Sequence, residues 1–209
     1  MLQIEKSIQK LRKSVKDMTE LVLKMSETVN NAIHRNKGDL EIIFEHDKHL
    51  DILEKETDMQ AVELLALINP RATDLRFVFS VIKLDVDLER IGDECKNVAR
   101  ELRSVEPPFP EELGKLSGIV HNMLEDVFKA LITSDSHLAR EVVIRDDEAD
   151  KVEYAILKKY SNSIGLCFAA KALERMADHA TNIAEKVVFT VEGVDIRHEN
   201  SMQTRHPKE

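Results

Sequence analysis

The sequence predicts an all-α protein built as two tandem, internally repeated antiparallel three-helix bundles. Three observations lead there: a helix-favouring composition, a proline-rich break near the middle, and a set of residues that occurs twice. Of 209 residues 43% are hydrophobic and 33% charged, with six Gly, five Pro, two Tyr and no Trp. That balance suits long amphipathic helices rather than a turn-rich sheet protein. Pro107, Pro108 and Pro110 interrupt the helical pattern and mark the boundary between halves. Leu88-Glu89-Arg90-Ile91-Gly92-Asp93 returns as Leu173-Glu174-Arg175-Met176-Ala177-Asp178, and Asn97-Val98-Ala99 returns as Asn182-Ile183-Ala184. Such a recurrence is the signature of a duplicated unit. The halves are residues 1–105 and 110–193, followed by a polar tail, 194–209.

The elements follow in order. Gly38-Asp39 supplies a left-handed helix stop and an N-cap, closing helix 1 and opening helix 2. Helix 2 spans residues 39–68, because Asn69-Pro70 reads as an N-cap with Pro at the first position of helix 3. Helix 3 extends to residue 104 and carries Leu84, Leu88, Ile91, Cys95, Val98 and Leu102 at steps of three and four, the seam of a bundle helix. Glu111 and Glu112 open helix 4, Ser134-Asp135 separates it from helix 5, Ser161-Asn162-Ser163 separates helix 5 from helix 6, and Gly193 ends helix 6. The remainder, ending in His206-Pro207-Lys208-Glu209, reads as a loose tail. Asp47, Asp51 and Glu54 recur as Asp146, Asp150 and Glu153. Helix 5 therefore repeats helix 2, and helix 6 repeats helix 3, with the second hairpin about two turns shorter in each arm.

A net charge of −9 argues against a nucleic-acid partner, which requires a basic surface to neutralise phosphates. The start, Met1-Leu2-Gln3-Ile4-Glu5-Lys6, has no apolar signal core, and no run of about 18 apolar residues could span a bilayer. A cytoplasmic location is expected. Cys95 and Cys167 stand alone, without a CxxC or a nearby His, and read as buried free thiols.

The chemistry lies in acidic stripes. Residues four apart share a helix face, about 6 Å apart along the axis, so Asp47 pairs with Asp51, Glu89 with Asp93, Asp146 with Asp150, and Glu174 with Asp178. With 39 acidic residues in the chain, single pairs of this kind arise by chance. The hairpins carry more weight. Folding the first about residue 70 sets Asp47 level with Asp93 and Asp51 level with Glu89. Folding the second about residue 162 sets Asp146 level with Asp178 and Asp150 level with Glu174. Both fold points coincide with turns assigned on other grounds.

Each like-charged i,i+4 pair costs about 0.2–0.5 kcal/mol, and cross-helix pairs add to it. Arg90 and Arg175 can offset part of this, whereas a multivalent cation offsets more. All-oxygen ligation selects Mg²⁺, Mn²⁺, Ca²⁺ or oxidised iron over thiolate-loving zinc. The competing reading is a hydrated acidic face without metal. Glu54 and Asp85 enlarge the first cluster; Glu153 enlarges the second, where Ala170 stands in place of Asp85. Asn97 and Asn182, one turn further on, are either ligands or helix-to-helix hydrogen-bonding groups.

In these same residues the chain resembles the PhoU family. The resemblance is carried by Pro70-Arg71-Ala72-Thr73-Asp74-Leu75-Arg76, the doubled L-E-R-x-x-D, Asp178-His179-Ala180-Thr181-Asn182-Ile183-Ala184-Glu185, and Val191-Glu192-Gly193-Val194-Asp195-Ile196-Arg197-His198. It spans Met18 to His198. It implies multinuclear metal clusters, above all iron, with manganese, magnesium or zinc as alternatives, on Asp47, Asp51, Glu89, Asp93, Asp146, Asp150, Glu174 and Asp178. It also implies a non-enzymatic adaptor between the ATPase subunit of a phosphate ABC transporter and a sensor histidine kinase, restraining the phosphate-starvation response when phosphate is plentiful. Peripheral association with the inner face of the membrane through those partners, and a homodimer, belong to the same expectation. Two departures stand out. Glu94-Cys95 occupies the place of His179-Ala180, and the shortened hairpin removes surface near Asn162. Arg197-His198, after Gly193, serves either as a tail anchor or as a partner contact.

An enzyme or metal-storage reading has little support, because helices 2, 3, 5 and 6 lack the Glu-x-x-His pairs of di-iron bundles, and no phosphate loop or Ser/His/Asp set is present. A structural interaction protein without metal is the other alternative. In the expected arrangement the two hairpins form one acidic face, while helices 1 and 4 cover the opposite side and turn Met18, Met25 and Met123 to the core or to a partner.

Overall fold

The computed structural model describes residues 2–35, 39–67 and 72–197. Among the described residues there are six helices and no strand: α1 (Leu2–Arg35), α2 (Glu41–Leu67), α3 (Ala72–Leu102), α4 (Glu111–Thr133), α5 (Ser136–Lys159) and α6 (Ile164–Glu192). The all-α, repeated architecture read from the sequence is the one observed. Gly38, the Asn69-Pro70 turn and the tail from His198 lie outside the described residues.

The remaining boundaries have local causes. Asp39 Oδ1 accepts from Glu41 N at 3.1 Å, opening α2. Ser134 ends α4 in the left-handed region at φ 58°, and Asp135 then caps α5, its carboxylate accepting from Leu138 N at 3.0 Å. Gly193 ends α6 at φ 74°, a conformation that suits a residue without Cβ.

Neighbouring helices form two layers. α2, α3, α6 and α5 lie side by side in that order, with α3–α6 the most extensive helix contact. α1 packs behind α2 and α3, α4 behind α5 and α6, and α1 also touches α4. A single hydrophobic core runs through both halves, so the proline break separates the repeats in sequence but not in packing. Met18, Met25 and Met123 are fully buried within that core rather than offered to a partner.

Two expectations need correction. Cys95 is buried, but Cys167 is only half-buried, its thiol donating to the Tyr160 carbonyl at 3.4 Å. The tail is not loose from its start: Ile196 is 7% exposed and joins the core, because the turn at Gly193 sends the chain back onto the bundle.

Close helix approach explains one glycine. A Cβ at Gly165 would stand 2.5 Å from Ser104 Oγ and 2.8 Å from Val105 Cγ2, where α6 begins against the end of α3. Gly118, in α4, has nothing within 4 Å of that position. Gly165→Ala should lower stability by about 1–3 kcal/mol through overpacking, whereas Gly118→Ala should raise it by about 0.5–1 kcal/mol through helix propensity and reduced unfolded-state freedom. Urea unfolding of both variants checks this pair of opposite signs.

Candidate metal centre

The two acidic clusters sit on the α2–α3 and α5–α6 hairpins, and all four cross-hairpin pairs read from the sequence are brought together. Asp93 and Asp51 raise Asp47, Asp51 and Asp93 raise Glu89, Asp178 and Asp150 raise Asp146, and Glu174 raises Asp150. In each of these carboxyls burial is the largest cause and like charge adds to it. Glu89 is pushed up to about 7, by burial and then by Asp93. Asp146 is also pushed up to about 7, by burial and then by Asp178. Asp178 and Glu153 are raised too, again by burial first. Asp85 is 1% exposed, accepts from Val86 N at 2.8 Å, and rises to about 6 through burial and then Asp58 and Glu54.

Two lysines within these clusters escaped the sequence reading. Lys96 Nζ lies 2.6 Å from Asp47 Oδ2 and 2.7 Å from Asp93 Oδ1, joining α2 to α3. Lys171 Nζ lies 2.9 Å from Glu174 Oε2 and 3.7 Å from Glu153 Oε1. The signal was present as i,i+3 acid–base spacings, Asp93 to Lys96 and Lys171 to Glu174. The arginines expected to help do not. Arg90 makes no ion pair with the acids among the described residues, and Arg175 reaches Glu94 on α3 at 3.3 Å. Asn97 donates to Glu94 at 3.0 Å and Asn182 to Asp87 at 3.5 Å, both in hydrogen bonds outside the acidic clusters.

Asp87 was also missed. It is 6% exposed at the α3–α6 seam, where His179 Nδ1 lies at 2.9 Å and the Lys186 ammonium also reaches it. Those partners hold it below the usual carboxylate range despite burial. A groove of about 410 Å³ beside it, lined by Phe79, Lys83, Val86, Lys186 and Phe189 among others, is not at either acidic cluster.

Whether the residues fit a cation can be tested on their own hydrogen bonding. Among the described residues no three His, Cys, Asp or Glu side chains converge as a finished ligand set. The second cluster nevertheless holds four buried oxygens without a hydrogen bond: Asp146 Oδ1, Glu153 Oε1, Glu174 Oε2 and Thr181 Oγ1. Two of these oxygens face the Lys171 ammonium, Glu174 Oε2 at 2.9 Å and Glu153 Oε1 at 3.7 Å, and the Thr181 hydroxyl lies beside Asp146. Buried polar atoms are normally satisfied, and Asp146 Oδ1, which has no ion pair among the described residues, is the oxygen here that suits a hard cation. In the first cluster Asp47 and Asp93 already share an ammonium.

Comparison with known proteins identifies the family. The PhoU domain model matches twice, over residues 15–102 and 113–187. The chain belongs to the PhoU family. It is 30% identical to the "Phosphate-specific transport system accessory protein PhoU homolog" of Pseudomonas aeruginosa, over 94% of this chain and 88% of that protein. Among solved structures it is similar to PhoU from Pseudomonas aeruginosa, with a TM-score of 0.82 and 29% identity over 91% of this chain and 99% of that one. The phosphate transport system regulatory protein PhoU from Streptococcus pneumoniae also superposes with a TM-score of 0.82, at 25% identity over 92% of this chain and 98% of that one. The two PhoU domain matches cover the two acidic hairpins and stop on either side of the proline break.

The raised carboxyls make stability depend on pH. Glu89 and Asp146 bind protons more readily when folded, at about 7, than at their ordinary values of 4.5 and 3.8. The penalty of ionising them is full above about 7 and is relieved as pH falls towards the unfolded values. Asp87 acts in the opposite sense, losing its contribution only as pH falls through the acid range below its ordinary value of 3.8. Metal-free protein should therefore lose about 1–2 kcal/mol between pH 5.5 and 8, after allowing for solvent screening. Asp146→Asn should flatten the dependence. Urea midpoints at the two pH values check this, and a midpoint that rises with pH contradicts it.

Proposed function

We propose that the protein is a non-catalytic regulator of phosphate transport, an adaptor between a phosphate ABC transporter and a sensor histidine kinase, with cation binding at the acidic cluster of its second hairpin. The doubled PhoU domain, with similarity along almost the full length to a protein named as an accessory of phosphate-specific transport, carries the regulatory reading. Among the described residues no helix is long and apolar enough to cross a membrane; in this reading the protein meets the inner face of the membrane through its partners.

The cation reading rests on Asp146, whose buried Oδ1 has no hydrogen bond and no ion pair among the described residues. Asp146, Asp150, Glu174 and Asp178, with Glu153, would hold a hard ion such as iron, manganese or magnesium. Such an ion supplies positive charge that lets a level row of carboxylates stay ionised. The protein's own part is to hold those acids: α5 and α6 fix their register, and the core behind them keeps the helices from splaying. A cation-covered face would then meet anionic groups on a partner.

Two experiments test these parts separately. Cells lacking the protein should express a phosphate-starvation reporter in high phosphate, and the restored gene should silence it; a reporter that stays off without the protein contradicts the regulatory reading. Elemental analysis of untagged protein purified without chelators should find a hard metal, reduced in a Glu89→Gln, Glu174→Gln double variant. Protein that is metal-free even after incubation with Mn²⁺ and Fe²⁺ contradicts the cation reading and leaves the regulatory one standing.

A further inference from the structure

The two repeats match in their acids but not in the residue that stands between them. On α3, Lys96 places its ammonium 2.6 Å from Asp47 and 2.7 Å from Asp93, the outermost pair that the hairpin sets level. Its side chain is 17% exposed. The corresponding residue of the second repeat, three places after Asp178, is Thr181, which is neutral and whose hydroxyl is itself unsatisfied beside Asp146. Lys171 does not take over the role. It is 43% exposed and pairs with Glu174 and Glu153, leaving Asp146 and Asp178 without an ion pair among the described residues.

We infer that Lys96 is a built-in counter-ion that closes the first acidic cluster to multivalent cations, so that the two repeats differ in what they bind. The inference builds on the reading of the second cluster as a cation site.

The physical basis is exclusion. A protonated lysine has three donors and no lone pair, so it neutralises carboxylates but cannot share them as a co-ligand. It is tethered to the α3 helix, so no second molecule has to be bound to fill the gap. A metal ion entering between Asp47 and Asp93 must first drive this ammonium into water and then replace two charge-assisted contacts. Threonine imposes no such barrier. The level pair Asp47 and Asp93 is therefore neutralised from within, whereas its counterpart, Asp146 and Asp178, has no ammonium between its carboxylates, Lys171 lying on Glu174 and Glu153 instead.

The test reads Mn²⁺ binding by calorimetry at pH 7.5, in an Asp146→Asn, Glu174→Gln background that silences the second cluster. In that background the Lys96 parent should bind no Mn²⁺, or bind it weakly. Adding Lys96→Thr should create a site at least about ten-fold tighter, and Lys96→Arg, which keeps the charge, should stay closed. If Lys96→Thr lowers helix content, recovery of the helical signal on adding Mn²⁺ is the equivalent supporting result. Equal binding with Lys and Thr, or no gain with Thr, overturns the inference. In the otherwise unaltered protein, Thr181→Lys should weaken the second site by a similar factor. Failure of the second-cluster reading is distinguishable, because the unaltered protein then binds no Mn²⁺ while Lys96→Thr still gains its site.

Discussion

Like charge held level across a helix hairpin is the constraint on which the rest of this molecule turns. Asp47, Asp51, Glu89 and Asp93 in one half, and Asp146, Asp150, Glu174 and Asp178 in the other, cannot move apart, because the opposite faces of their helices are locked into the common core. The stress can be relieved only locally, by a proton, a lysine or an added cation. Two of these are at hand: Glu89 and Asp146 are raised to about 7, and Lys96 and Lys171 each lie between two acids; an added cation is the relief proposed for the second cluster.

The seam between halves obeys the same logic with a different solution. Where α3 meets α6, charge is matched across the repeats rather than within them: Asp87 takes His179 and Lys186, and Arg175 takes Glu94. Between these pairs the seam is apolar, with Cys95 and Met176 in sulfur–sulfur contact at 4.0 Å. Arg175 and Lys186 make no ion pair with either acidic cluster among the described residues, although Arg175 follows Glu174 directly in sequence. The duplicated motif has therefore diverged where the two copies touch, as Glu94 opposite Arg175 requires.

Much of the fold was legible because helix ends are local chemistry. Asp135, Ser134 and Gly193 announce their turns through a side-chain oxygen or a left-handed backbone, and the structure uses each as expected. The level pairing of the acids was legible too, since an antiparallel hairpin fixes register from its turn alone. Lys96 and Lys171 were harder to see, because a lysine three residues from an acid is common on any helix and its reach across the hairpin is not encoded in spacing. Asp87 and Ile196 were out of reach altogether. Their roles depend on how one repeat docks on the other and on where the chain returns after α6, which no single-helix periodicity reports.

The central claim is that the level carboxylates of the second hairpin are relieved by an external cation. The most direct measurement is thermal unfolding of chelator-treated protein at pH 7.5 across a Mn²⁺ series, beside an Asp146→Asn, Glu174→Gln variant. The account predicts stabilisation that grows with the logarithm of Mn²⁺ concentration, about 2.7 kcal/mol at one hundred times the dissociation constant, and its loss in the variant. An unfolding temperature indifferent to Mn²⁺, or one that rises equally in both proteins, would contradict it.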